Sequence, residues 1–240
     1  VIGGGQKGGT TSLGRILRRH PDIAMARNKE PHMFDDDEAF GGGVPDFKRY
    51  HDLWGESLGR RRCGEATPIY CWWPPAAPRI RDYNPAMKWV LLLREPASRA
   101  HSHWNMERSR GLESQPFEAA LDCEVRDLVE RPGLYARTRS FLSRGFYAQQ
   151  LERLFALFPR EQVLVLRSDW LRNDPARTIG RVLEFLEVGP MGPTEGIEAH
   201  VRSYPEPLDP GTRAKLAGFF EPEIRRLEAL LGWDLADWRR

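Results

Sequence analysis

The chain has 240 residues, of which 40% are hydrophobic and 29% are charged, and its formal net charge is +2. This length suits one α/β domain with a substantial core, and the composition is that of an ordinary globular protein. The small net charge gives no reason to expect a nucleic-acid partner, and no apolar run reaches the roughly 18 residues that a membrane-spanning helix needs.

Apolar runs and helical stripes predict strands and helices that alternate along the chain. In chain order they are a strand at 1–2, a helix at 10–19, a strand at 23–26, a helix near 47–53, a strand at 88–93, a helix at 96–106, a helix at 146–158, a strand at 162–166, a helix at 175–187 and a helix at 216–231. Such alternation predicts a single α/β domain over residues 1–240, with a central parallel sheet flanked by helices.

The first predicted strand leads into a glycine-rich loop, GGQKGGTTS, at residues 4–12. A turn of this kind presents backbone N–H groups at the positive end of a helix, which is a site for anions. The spacing from Gly4 to Gly9 is that of a nucleotide phosphate-binding loop, but Thr10 stands where a lysine follows the second glycine, and Lys7 lies inside the loop. A tight turn without a ligand is the alternative interpretation.

The predicted strand at 88–93 is followed by Arg94, at the position where ATP and GTP enzymes carry an aspartate that holds Mg²⁺. An arginine at this edge of a sheet attracts phosphate directly. With Thr10, it indicates a nucleotide held without metal and disfavours a kinase. Arg94 alone is equally consistent with a buried ion pair. If Pro96 opens a helix, Ser102 lies in its second turn.

Three segments resemble sulfotransferases that use 3′-phosphoadenosine 5′-phosphosulfate (PAPS), of the heparan-sulfate type and its bacterial relatives. They read QKGGTTSL from Gln6, KEPHMF at 29–34 and LLLREPASRAHSHW at 91–104. GEATPIY at 64–70, GFYAQQLERL at 145–154 and RSYPEPLDP at 202–210 extend the resemblance over most of the chain. It implies a P-loop-like sulfotransferase fold and transfer of a sulfuryl group to a hydroxyl, or an amine, of a small-molecule or carbohydrate acceptor, with adenosine 3′,5′-bisphosphate as the product.

The resemblance also implies a metal-free cofactor site. In that site Lys7, Gly8, Gly9, Thr10, Thr11 and Ser12 bind the 5′-phosphosulfate, Arg94 and Ser102 bind the 3′-phosphate, Arg202 and Tyr204 close over the nucleotide, and Tyr147 lies near the cofactor. Electrostatic stabilisation of the leaving group requires a donor at the bridging oxygen, and the position of Lys7 suits that role.

Glu30 matches the general base of this family, and His32 is a substrate contact or a second base. Because the residue before a proline avoids helical conformation, we expect an extended segment with Glu30 and His32 on one side. From the residues alone, a surface loop with a solvated glutamate is the favoured interpretation; the resemblance favours the base. The acidic run at 35–38 is expected to be a solvated turn.

The acceptor is not identified by the sequence. Ala66 stands where the heparan-sulfate enzymes have an active-site lysine, which argues against a sulfated polysaccharide. Trp72 and Trp73 suit either stacking on an acceptor or core packing. The three cysteines have no metal-ligand spacing, and no cysteine follows Cys123, whereas the heparan-sulfate enzymes have a late disulfide. Both observations favour a bacterial cytoplasmic protein.

Two other functions remain as alternatives. One is a P-loop nucleotide or small-molecule kinase, which Thr10 and Arg94 disfavour. The other is a non-catalytic nucleotide-binding protein, which Ala66 keeps open. It is disfavoured by the presence of Lys7, Glu30, Arg94 and Ser102.

Overall fold

The structure is a computed structural model that describes residues 1–43, 45–131, 136–192 and 207–240. The described residues fall into two compact units. The first holds 1–4, 8–93 apart from residue 44, and 153–192; the second holds 5–7, 94–152 apart from 132–135, and 207–240. The extent of a single domain over residues 1–240 stays a prediction.

The first unit contains two parallel sheets. Their strands are β1 (Ile2–Gly4), β2 (Ile23–Met25), β3 (Arg62–Gly64), β4 (Trp89–Leu93) and β5 (Val163–Arg167). The larger sheet has the order β1-β4-β5, and the smaller one pairs β2 with β3. All five residues of β4 are buried, as predicted for an apolar strand inside a parallel sheet. The parallel α/β architecture is therefore confirmed.

Eleven α-helices lie in the described part of the chain. They are α1 (Thr10–Leu17), α2 (Asp37–Gly41), α3 (Phe47–His51), α4 (Ile69–Trp72), α5 (Ala76–Tyr83), α6 (Pro96–Ser109), α7 (Phe117–Glu130), α8 (Tyr147–Phe155), α9 (Ser168–Asn173), α10 (Pro175–Phe185) and α11 (Pro210–Leu231). None of these described helices is long and apolar enough to cross a membrane.

Acidic caps followed by proline begin three of the helices. The side chain of Glu95 accepts from the N–H groups of Ala97 and Ser98 at the start of α6. Asp174 and Asp209 cap α10 and α11 in the same way. An acceptor at the cap and proline in the first turn satisfy or remove N–H groups that would otherwise lack partners. This signal starts α11 six residues earlier than its apolar stripe predicted.

A buried apolar cluster joins α1 to the larger sheet and to α10 within the first unit. Its members include Leu13, Ile16 and Leu17 of α1, Ile2 of β1, Val90 and Leu92 of β4, and Ile179, Val182 and Leu183 of α10. Because both β1 and α1 are fixed by this packing, the chain must turn between Gly4 and Thr10. The core thereby sets the two ends of the glycine-rich loop.

In the second unit, α6 and α11 pack together. A Cβ atom at Gly145 would lie 2.7 Å from a ring carbon of Phe220, a buried residue of α11, so glycine is needed for this close approach. The packing fixes α6, which begins two residues after Arg94.

Candidate active site

The glycine-rich stretch has the strand–turn–helix form that its motif requires. Gly4, the last residue of β1, has φ of 103°, and a Cβ there would lie 2.5 Å from the carbonyl oxygen of Leu92. Gly9 has φ of 100° and precedes α1. The first N–H groups of α1, from Thr10 to Ser12, therefore lie at the positive end of a helix. This half of the loop, which is predicted to bind an anion, belongs to the first unit.

Residues 5–7 of the loop belong to the second unit, where they meet Arg94 and Tyr147. Arg94 Nη1 donates to the carbonyl oxygen of Lys7 over 3.4 Å, and the Tyr147 hydroxyl donates to the carbonyl oxygen of Arg94 over 2.8 Å. A Cβ atom at Gly5 would lie 2.8 Å from the Tyr147 hydroxyl oxygen. The structure thus brings together Lys7 and Arg94, two of the predicted cationic residues, through a direct contact.

Ser102 and Tyr147 are both buried in the second unit. Ser102 lies in the second turn of α6, as predicted. Burial raises the pKa of Tyr147 to about 12, so its hydroxyl keeps its proton and serves as the donor to Arg94. In this structure the Tyr147 hydroxyl therefore supports the backbone at Arg94. The predicted contacts of Ser102 and Tyr147 with a nucleotide stay predictions.

The first unit brings Glu30, His32 and Asp35 into one chain of contacts. His32 Nδ1 lies 3.1 Å from both oxygens of Asp35, and His32 Nε2 lies 3.7 Å from Glu30 Oε2. Lys29 Nζ lies 2.8 Å from the other oxygen of Glu30. Each ring nitrogen of His32 therefore faces a carboxylate, an arrangement that favours the imidazolium.

The charges of this group follow from those contacts. The hydrogen bond with Asp35, followed by the ion pair with Glu30, raises the pKa of His32 to about 9. Burial would raise the pKa of Glu30, but its ion pairs with His32 and Lys29 outweigh burial and bring that pKa to about 2. Near neutral pH the group is thus an ionised Glu30 beside a protonated His32.

Positive φ angles mark the three residues predicted to be catalytic. Lys7, Glu30 and His32 have φ of 73°, 56° and 57°, and the only other non-glycine residue of this kind in the described ranges is Glu187. Each such angle costs about 1–3 kcal/mol and is typical of functional sites. The expectation of an extended backbone at Glu30 is wrong, since the residue is left-handed. Its side chain nevertheless meets His32 as expected.

The acidic run at 35–38 is exposed at Asp36, Asp37 and Glu38, as its charge predicted, but the prediction is wrong for Asp35. Asp35 has no exposed surface and contacts His32. Asp36 caps α2 by accepting from Glu38 and Ala39 N–H groups, and Asp37 pairs with Arg79 over 2.7 Å. Asp35 is the site residue that sequence reasoning missed. Its spacing of three residues from His32 was the available signal.

Ala66 and the segment around it are part of the folded interior of the first unit. Ala66 is 8% exposed, forms a parallel bridge with Ile2 and packs in the apolar cluster of α1 and β1. The neighbouring Glu65 is buried and accepts hydrogen bonds from Thr67 and from the Tyr50 hydroxyl, the latter over 2.6 Å. The side chain at position 66 therefore fills core space in this chain.

The paired tryptophans differ in their surroundings. Trp72 is 4% exposed, which assigns its ring to the interior of the first unit. Trp73 is half-buried, and its Nε1 donates to Asp37 over 3.3 Å. Only Trp73 keeps a partly exposed ring.

Two of the predicted cofactor residues, Arg202 and Tyr204, lie outside the described residues. Across the four described ranges, no group of three or more histidine, cysteine, aspartate or glutamate side chains could hold a metal ion. Of the remaining predicted residues, the first unit holds Gly8–Ser12, Glu30 and His32, and the second holds Lys7, Arg94, Ser102 and Tyr147.

Comparison with known proteins supplies independent information. The family model of the sulfotransferase domain matches residues 76–203, more than half of the chain. A human protein, heparan sulfate glucosamine 3-O-sulfotransferase 3B1, is 33% identical over 186 residues, which is 78% of this chain and 45% of that protein. The chain spans about half the length of the first curated relatives that it matches.

Solved structures give the same result. A sulfotransferase from Alicyclobacillus acidocaldarius has a TM-score of 0.82 and 30% identity, with 100% of this chain and 97% of that chain covered. The sulfotransferase domain from the curacin biosynthetic pathway, at 16% identity and a TM-score of 0.57, shares the fold. From the family match and this full-length structural likeness, the chain belongs to the sulfotransferase family.

Proposed function

We propose that this chain is an enzyme that transfers a sulfuryl group from PAPS to a hydroxyl, or an amine, of a small-molecule or carbohydrate acceptor. The observation that carries the proposal is the glycine-rich loop, in which a lysine with a left-handed backbone is fastened to Arg94 by a hydrogen bond to its carbonyl oxygen. A lysine held at this point suits a leaving phosphate, because it supplies a fixed positive charge where negative charge develops.

The residues on the donor side fit an anionic nucleotide. Every group assigned to this side is a hydrogen-bond donor. These groups are the N–H groups at the start of α1, the hydroxyls of Thr11 and Ser12, and the cations Lys7 and Arg94. When bound, PAPS supplies the activated sulfuryl group. Lys7 would donate a hydrogen bond to the bridging oxygen, and Arg94 with Ser102 would hold the 3′-phosphate. No step in this scheme requires a metal ion.

On the acceptor side, Glu30 would take the proton of the acceptor hydroxyl. Its low pKa keeps it ionised throughout the neutral range, so it is always ready to accept a proton. A base this weak works best when proton transfer accompanies formation of the new S–O bond, since the attacking hydroxyl is then most acidic. His32, held by Asp35, would orient the Glu30 carboxylate and stabilise its charge.

The acceptor that we favour is less anionic than the heparan sulfate named for the human relatives. Position 66 holds a core alanine here, so this position adds no cation for a sulfated chain. Trp73 keeps a partly exposed ring of the kind that stacks on sugars or apolar groups. The free thiols of Cys63, Cys71 and Cys123 suit a reducing compartment, and we propose the bacterial cytoplasm.

The proposal is tested by incubating the protein with ³⁵S-labelled PAPS and a panel of alcohols, amines, monosaccharides and oligosaccharides, without divalent metal. We expect labelled product with at least one hydroxyl class. Calorimetric titration should show tighter binding of adenosine 3′,5′-bisphosphate than of ATP with Mg²⁺. Preference for ATP with Mg²⁺ would indicate a kinase. Tight bisphosphate binding with no transfer to any acceptor would indicate a non-catalytic nucleotide-binding protein.

A further inference from the structure

A buried arginine in the second unit, Arg144, donates a hydrogen bond to the glycine-rich loop at Gln6. Arg144 is 4% exposed, and each of its three guanidinium nitrogens donates a hydrogen bond. Nη1 donates to the side-chain oxygen of Gln6, Nε donates to Ser140 Oγ over 2.8 Å, and Nη2 donates to the carbonyl oxygen of Arg137 over 2.9 Å. Two sides of the guanidinium are therefore fixed by Ser140 and Arg137, and its third side holds Gln6 of the loop.

The backbone that carries Arg144 is also fixed. The carbonyl oxygen of Arg144 accepts from Gln150 Nε2 over 3.2 Å. The N–H groups of the two preceding residues, Leu142 and Ser143, donate to the buried carboxylate of Glu124 over 2.7 and 2.9 Å. A side chain anchored in this way cannot follow the loop if the loop moves, so it acts as a rigid attachment point.

Gln6 is the residue before Lys7, whose φ of 73° is unfavourable for any residue with a Cβ atom. A conformation of this kind persists only when its surroundings hold it. On one side, Gly5 is packed against Tyr147 and Arg99, which lie 2.8 and 3.2 Å from where its Cβ would be. On the other side, the Lys7 carbonyl is held by Arg94. Between Gly5 and Lys7, the loop is held by the hydrogen bond of the Gln6 side chain with Arg144.

We propose that Arg144 is a positioning residue for sulfuryl transfer, which holds Lys7 in its left-handed conformation through Gln6. The inference rests on the proposed function. Arg144 is buried, so the contact with Gln6 is the route by which we propose that it acts on the reaction. The direction of the Lys7 side chain depends on its own backbone angles, so loosening Gln6 would displace the amine from the leaving phosphate. Errors of about 1 Å in such placement lower rates about a hundredfold.

The chemistry of the pair suits a phosphate site. Gln6 offers Arg144 a neutral acceptor, so the contact adds no negative charge beside the loop. The positive charge of Arg144 acts on a neighbouring side chain, His103. Burial lowers the pKa of His103, and the charges of Arg144, Arg99 and Lys7 lower it further, so that it lies well below its usual range. A glutamate at position 6 would satisfy the same guanidinium but would repel a phosphate. The side chain found here satisfies both requirements.

The test compares Gln6→Met, Arg144→Met, Arg144→Lys and the Gln6→Met/Arg144→Met double variant. The matched control is Arg139→Met, which removes an ion pair with Glu113 in the same unit without touching the loop. We expect Gln6→Met and Arg144→Met each to lower kcat about tenfold to a hundredfold, with KM for PAPS changed less than about threefold. The double variant should be no more than about threefold worse than the poorer single variant, because both changes break one contact.

Arg144→Lys should recover part of the rate, since an ammonium still reaches one acceptor. Arg139→Met should keep the wild-type rate. If Gln6→Met keeps the full rate, or if the losses of the two single variants multiply in the double variant, the positioning role is wrong. Gln6→Met decides the matter even if both Arg144 variants fail to fold, because Gln6 is only half-buried.

Hydrogen exchange separates this inference from the proposed function. Amide protons of residues 5–7 should exchange at least about tenfold faster in Gln6→Met than in the wild type or Arg139→Met, because local opening becomes easier. This readout does not need activity. If the wild type transfers no sulfuryl group but exchange responds as expected, the proposed function is wrong, and the contact between Arg144 and Gln6 still holds the loop. Unchanged exchange in Gln6→Met would mean that the Gln6 side chain does not hold residues 5–7 in place, and the positioning role of Arg144 would then be wrong.

Discussion

His32 Nδ1 lies 3.1 Å from both carboxylate oxygens of Asp35, a side chain with no exposed surface. This contact fixes one edge of the imidazole ring and turns its other nitrogen toward Glu30. The relationship explains why Asp35 is buried within an otherwise exposed acidic run. It also gives the predicted base a defined electrostatic partner.

The first prediction concerns the charge of His32. Its pKa should be about 9 in the wild type and should fall in Asp35→Asn, because the largest stabilising contact of the imidazolium is weakened. NMR titration of the ring protons measures both values, and circular dichroism controls for folding. A His32 pKa that stays near 9 in the variant would mean that Asp35 is not its main partner.

The same shift makes folding stability depend on pH. The folded pKa of His32 lies above its unfolded value, so its stabilising contribution is complete below about pH 6.5 and is lost as the pH rises through about 9. The difference in unfolding free energy between the wild type and His32→Gln should therefore shrink between pH 6.5 and 9. Urea unfolding at several pH values measures it, and a difference that is constant across this range contradicts the prediction.

Replacing Glu30 tests the base. Glu30→Gln should lower kcat about 10²–10⁴-fold, because the amide cannot accept the acceptor proton. Affinity for adenosine 3′,5′-bisphosphate should stay within about twofold of the wild type, since Glu30 is assigned to the acceptor side. Calorimetry and rate assays on one preparation measure both quantities. Persistent turnover would move the base elsewhere, with His32 the next candidate.

Arg94→Gln tests recognition of the 3′-phosphate. A charge-assisted hydrogen bond contributes about 1.5–3 kcal/mol, so affinity for adenosine 3′,5′-bisphosphate should fall about 10- to 100-fold. Affinity for adenosine 5′-phosphate, which lacks the 3′ group, should change little. Calorimetry with the two ligands provides the comparison. Equal losses for both ligands would mean that Arg94 serves the loop alone and not the 3′-phosphate.

Lys7→Gly and Lys7→Ala should differ in stability although both remove the amine. Glycine tolerates a φ of 73° without strain, whereas alanine does not. Lys7→Gly should therefore be about 1 kcal/mol more stable than Lys7→Ala, less the small entropic cost of glycine. Urea unfolding of the two variants gives the difference. If Lys7→Ala is the more stable of the two, the left-handed conformation at residue 7 is not under strain.

Much of the fold could be predicted because its signals are local. The apolar run of β4 and the cap-and-proline starts of α6 and α10 depend on neighbouring residues only. The strand β3, Arg62–Gly64, carries no apolar pattern in three residues and was not predicted. The start of α11 was missed although Asp209 and Pro210 mark it, because the apolar stripe begins later.

The site was less predictable because its decisive contacts are not local. The order of motifs indicated Lys7, Glu30 and Arg94, but the buried position of Asp35 was hidden by its acidic neighbours. The left-handed backbone at Glu30 overrides the preference that Pro31 imposes, since surrounding contacts hold it. Arg144 and Gln6 are 138 residues apart in the chain, and no spacing rule connects them.

The most direct test of the proposed chemistry is the single-turnover rate of sulfuryl transfer by the wild type and by Lys7→Ala, both in EDTA. We expect the wild type to keep its full rate without divalent metal. Lys7→Ala should be about 10²–10³-fold slower, as when an electrostatic donor to a developing charge is removed, with a smaller change in bisphosphate affinity. Loss of wild-type transfer in EDTA, or an unchanged rate in Lys7→Ala, would contradict the role given to Lys7.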